Sequence, residues 1–111
     1  MVGLDSDTKA QIYRLLGLAR RAGRLIAGDR ACRRGLEQQP QALIILASDA
    51  GRALRRRFSY SASEQARGRS LDNFTKAELG GLFGREEQGV LLLTEPGLIA
   101  GIEELWLPRD H

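Results

Sequence analysis

Two short runs constrain the fold more than anything else in this chain: residues 42–47 read ALIILA and residues 90–94 read VLLLT. Each has strand length and is apolar almost throughout, with no alternation of polar and apolar positions. A strand with no polar face has to be covered on both sides, which puts it at the centre of a sheet between two layers of helix. A chain of 111 residues makes one domain and can bury such a core without disulfides or metal.

Helical spacing supplies the covering layers. Ile12, Leu15, Leu16 and Ala19 recur at helical intervals behind the candidate caps Asp7 and Thr8, and Gly23 is a natural stop. Residues 24–27 suffice for a short strand, and Gly28 passes the chain to a second helix over about 29–38 that Pro40 closes. Gly35 inside that helix costs roughly 1 kcal/mol relative to alanine, so the helix is expected to be short. Asp49 can cap a third helix with Ala50, Ala53, Leu54 and Phe58 inward and Arg52, Arg55 and Arg56 outward. A weak strand is expected near residues 70–72. Thr75 and Glu78 have the spacing of a capping box for a fourth helix, and Glu95 and Pro96 start a fifth that runs to about Leu105. Helices alternating with short strands predict an α/β fold: a three-layer α/β/α sandwich around a small mixed, mostly parallel four-stranded sheet. Residues 1–8 are read as a flexible N-terminus, 9–107 as the domain and 108–111 as a tail.

Charge is segregated along the chain. Residues 14–34 carry seven arginines against Asp29 alone, and residues 52–69 carry six against Glu64. Residues 86–111 reverse the sign, with six carboxylates against Arg109. Fifteen of the 17 basic residues are arginine, whose planar fork pairs phosphate oxygens bidentately. Arg30, Arg33 and Arg34 open the second helix just behind Gly28. The first amide hydrogens of a helix lack intrahelical partners and its dipole favours an anion, so arginines there make a footprint for phosphate. For the two basic segments to act as one footprint, residues 20–34 and 52–57 must come within a Debye length, about 8 Å.

Other classes of function find little in the residues. No apolar run reaches the length of a membrane span and the N-terminus lacks a signal pattern, which together with the lone Cys32 points to the cytoplasm and away from membranes. Cys32 reads as a packing residue. The only histidine is His111, so no Ser/His/Asp set or metal-ligand cluster assembles; no enzyme, cofactor or metal is expected. Gly80, Gly81 and Gly84 follow a helix and lack the Lys-Ser/Thr of a nucleotide-binding loop. Gly97 and Gly101 form a small-xxx-small pair, read as letting the last helix approach the sheet rather than as pairing two chains.

The segments GDRACRRGLEQQPQALIILASDA and TKAELGGLFGREEQGVLLLTEPG, at residues 28–50 and 75–97, resemble the ribosomal protein L-seven-Ae and L-thirty-e superfamily, closest to its bacterial YlxQ-like branch. The resemblance spans roughly residues 9–104. It implies an α/β/α sandwich that binds structured RNA, ribosomal RNA or another kink-turn-like RNA, in which tandem guanine-adenine pairs bend the duplex. Family contacts lie where a glycine is followed by Asn-Glu and then, three residues on, by Lys. Gly28 keeps the glycine and Arg33 replaces the lysine, while Asp29 stands for asparagine and Arg30 for glutamate. Glutamate accepts hydrogen bonds from a guanine edge, but arginine only donates, so Arg30 is suited to guanine O6 and N7 or to phosphate. The second family contact is the loop before the last strand, here Arg85, Glu86, Glu87 and Gln88, whose two carboxylates repel RNA. Arg24, Arg52 and Arg56 are candidates for flanking phosphates. Two other roles fit the sequence: a module that binds a protein through its acidic C-terminal helix, or the RNA-recognition domain of a larger RNA-modifying enzyme.

Overall fold

The computed structural model describes residues 4–65 and 70–106, with the backbone alone for residues 59–65. The elements are α1 (Ser6–Arg21), β1 (Leu25–Ala27), α2 (Asp29–Gln38), β2 (Leu43–Leu46), α3 (Arg52–Gln65), β3 (Ser70–Leu71), α4 (Lys76–Gly81), β4 (Val90–Leu93) and α5 (Pro96–Trp106). The two apolar runs are the inner strands: all four residues of β2 and of β4 are buried. Successive strand residues point to opposite faces. Leu43, Ile45, Leu91 and Leu93 therefore pack with Ile12, Leu16 and Ala19 of α1, Leu79 of α4 and Ile102 of α5. Ile44, Leu46, Val90 and Leu92 pack on the other face with Cys32 and Leu36 of α2 and Phe58 of α3. The chain is thus an α/β/α sandwich, as expected. Among the described residues, no helix is long and apolar enough to cross a membrane.

The sheet is not mostly parallel. Its order is β1-β4-β2-β3, and β4 runs antiparallel to both β1 and β2, leaving β2–β3 as the one parallel pair. The cause lies in residues 76–88. After the six-residue α4 the chain doubles back along it, with the Arg85 amide donating to Gly80 O at 2.9 Å and the Gln88 amide to Lys76 O at 2.9 Å. The chain re-enters the sheet at the end from which it left, so β4 has to descend where a helical crossover would have sent it up. Gly80 makes the doubling back possible. A Cβ there would lie 2.7 Å from the Glu87 amide nitrogen and 2.8 Å from Arg85 O. Gly35 is used similarly, since its Cβ would stand 2.8 Å from Cδ2 of Leu92; the glycine lets α2 sit down on the sheet.

Caps differ in part from the sequence reading. α1 begins at Ser6, inside the stretch expected to be flexible, and Asp5 rather than Asp7 or Thr8 is its N-cap, accepting from the Thr8 amide at 2.7 Å. Residues 108–111 lie outside the described residues. The Thr75–Glu78 capping box forms as expected, and the Thr75 amide holds the Glu78 carboxyl below the usual carboxylate range. Asp49 does not cap α3. Its Oδ1 accepts from the amide of Lys76, the first residue of α4, at 2.8 Å, tying the end of β2 to a helix 27 residues on. Asp49→Ala is expected to cost about 1 kcal/mol in urea denaturation, and Asp49→Asn, which keeps the acceptor, only a few tenths.

Candidate nucleic-acid interface

One end of the sheet brings together the start of α2, the end of β2 and the start of β4. The Gly28 amide donates to Val90 O at 3.1 Å as β1 ends, and the Ala47 amide donates to Gly89 O at 2.9 Å as β2 ends. The start of α2, the segment leading into α3 and the last residues of the 85–89 loop therefore meet around the first residue of β4. Gly28 is the N-cap of α2 with φ 105° and ψ 151°, and no side chain caps that helix. Nothing lies within 4 Å of where its Cβ would be, so the position requires glycine for its backbone conformation and is open on the outside. Gly28→Ala is expected to lose about 1–2 kcal/mol of stability by denaturant titration, with no clash to relieve.

Asp29 joins two helices. Its Oδ1 accepts from Arg33 Nε at 2.9 Å within α2, and its Oδ2 pairs with Arg57 Nη2 of α3 at 3.0 Å. The carboxylate thus draws guanidinium groups from both basic segments to one point, well within a Debye length. Arg33 spends one of its five N–H donors on this bond and is half exposed, which leaves the remainder of its fork for a phosphate. Arg30 and Arg34 are exposed on the same two turns, and Arg52 and Arg56 are exposed on α3. Residues 67 and 69 of the second basic segment lie outside the described residues.

The seven arginines of residues 14–34 do not form one patch. Arg24 stands just before β1 at the opposite end of the sheet, where its carbonyl accepts from the Thr94 amide at 3.0 Å and from the Thr94 hydroxyl at 3.2 Å. Four residue steps of extended chain, about 13 Å, separate it from Gly28. Arg24 is thus a whole strand away from the start of α2. Arg20 stands near that far end too, stacked on Phe83 at 4.6 Å from the ring centroid. Arg55, expected to face out, turns inward and donates to Ala47 O at 3.0 Å and Ser48 O at 2.8 Å. It closes the end of β2.

The 85–88 loop is internally tied. Arg85 Nη1 donates to Gln88 Oε1 at 3.0 Å and its guanidinium lies 5.6 Å from the Phe83 centroid, while Glu87 pairs loosely with Lys76 at 3.9 Å. Glu86 and Glu87 are exposed, on a stretch of loop that runs against α4. Arg57 was missing from the sequence-derived site. The signal for it was the isolation of Asp29, the sole carboxylate among seven arginines, which calls for a cationic partner. Cys32 is buried, its thiol pushed up to about 12 by burial, and its Sγ faces the carbonyls of Ile26 and Val90. At neutral pH it is an inert packing group.

No protein-family model matches the chain, and no curated protein does. Among solved structures, a protein with unknown function from Bacillus halodurans shares the fold with a TM-score of 0.78 and 25% identity, over 86% of this chain and 96% of that one. The likeness extends over nearly all of both chains and concerns architecture.

Proposed function

We propose that this chain is a cytoplasmic RNA-binding protein of the ribosomal L-seven-Ae type, of the YlxQ-like branch, acting by binding rather than catalysis. The observation that carries this reading is the convergence around Asp29: an open, uncapped helix N-terminus beside guanidinium groups drawn from two helices. Backbone amides behind Gly28 meet one phosphate. Arg30, Arg33 and Arg34 grip the strand that passes over α2, and Arg52 and Arg56 hold the flank. The target is folded RNA, ribosomal or kink-turn-like.

Filter binding of a kink-turn hairpin at a series of salt concentrations tests this. Neutralising four to six phosphates gives a slope of log affinity against log salt of roughly -3 to -5. Binding with a slope near zero would sink the phosphate model. Converting the hairpin's guanine-adenine pairs to Watson-Crick pairs is expected to weaken binding by less than about tenfold, because Arg30 offers no acceptor to a guanine edge. Discrimination of a hundredfold would place recognition in RNA shape or in the backbone near Gly28.

A further inference from the structure

The helical layer on the opposite side of the sheet from α2 and α3 carries an unpartnered face of its own. Leu18 of α1 is 48% exposed, the one large apolar side chain so exposed among the described residues. With Gln11, Arg14, Leu15, Arg21 and, from α5, Leu105, it lines a shallow groove between the two helices. On the α5 side the surface is notched. Gly101 lies one turn before Leu105 on the same stripe of the helix, and a Cβ added there would meet nothing within 4 Å. Glycine inside a helix costs about 1 kcal/mol relative to alanine, and no contact within the chain calls for it here. The sequence reading, that Gly101 lets α5 approach the sheet, does not hold.

We propose that this α1–α5 face is self-complementary and joins two copies of the chain. The knob, Leu18, and the notch, Gly101, sit on neighbouring helices of one patch. The α1 rim is basic through Arg14 and Arg21, and the α5 rim is acidic through the exposed Glu104. A two-fold rotation that lays α1 of one copy against α5 of the other seats knob in notch and sets basic rim against acidic rim, each contact made twice. A foreign partner would have to match shape and both charges by separate means, whereas a second copy matches them through symmetry. The α2–α3 layer stays uncovered, so the dimer is independent of the RNA-binding reading.

Sedimentation equilibrium of the whole chain from micromolar to millimolar concentration is the test. The expected result is a reversible dimer that Leu18→Glu and Gly101→Leu each weaken more than tenfold. Leu18 is exposed in the single chain, and Gly101→Leu raises the helix propensity of α5 into open space, so circular dichroism should show both variants folded. Arg14→Glu should weaken the dimer, and adding Glu104→Arg should restore it. A monomer at millimolar concentration would overturn the proposal and assign the face to a different protein; a dimer indifferent to Leu18→Glu and Gly101→Leu would overturn it equally.

Discussion

Replacing Arg30, Arg33 and Arg34 together with alanine is expected to weaken binding of structured RNA about a hundredfold at physiological salt. Each phosphate contact releases a condensed counterion, worth about 1 kcal/mol near that ionic strength, and the three substitutions remove up to three such contacts. The salt slope should flatten by two to three units in the same titrations. Losing Arg33 also leaves Asp29 with Arg57 as its partner, so the carboxylate becomes less neutralised beside the RNA and adds to the loss. Arg20→Ala with Arg24→Ala, at the far end of the sheet, is the control; it removes two charges against three and is expected to change affinity less than about threefold. Equal losses in the two variants would mean that net charge, not the α2 site, does the binding.

The second large effect concerns Gly80. Gly80→Ala is expected to destabilise the fold by about 3 kcal/mol in chemical denaturation, because the added methyl group meets the backbone of residues 85–87 and not a side chain that could swing aside. Hydrogen exchange should report where the strain goes: the Gln88 amide, bonded to Lys76 O in the wild type, should lose protection. Gly101→Ala is the counterpart, adding the same methyl group to a helix with open space above it, and is expected to stabilise the folded chain by about 1 kcal/mol. A tolerated Gly80→Ala would mean that the loop does not need the helix at its back.

Local features were legible in the sequence and long-range ones were not. The unbroken apolar runs gave away β2 and β4, and Thr75 and Glu78 gave away their box, because strand burial and capping are written in adjacent residues. Strand direction was not, since it depends on whether the chain crosses the sheet or turns back on α4, and that is decided by a missing side chain at Gly80. The role of Asp49 escaped for a related reason: its partner amide lies 27 residues away. Within the site, Gly28, Asp29, Arg30, Arg33 and Arg34 follow from the strand-to-helix junction. The separation of Arg24 from Gly28 was hidden because proximity in sequence masks a whole strand between them, and Arg57 was missed because its link to Asp29 is tertiary.

The sheet's order also bears on how the protein is made. β4, the last of the described strands in chain order, is the one inserted between β1 and β2, and β1 pairs with no other described strand. A nascent chain stopped before Val90 holds β2 and β3 as its sole strand pair, with the apolar edge of β2 uncovered. Docking of α2 on Leu92 and of α1 on Leu91 and Leu93 awaits the same strand. Closure of the domain therefore waits until β4 has been made, and translation products truncated in the 82–89 loop are the species that chaperones and proteases should recognise.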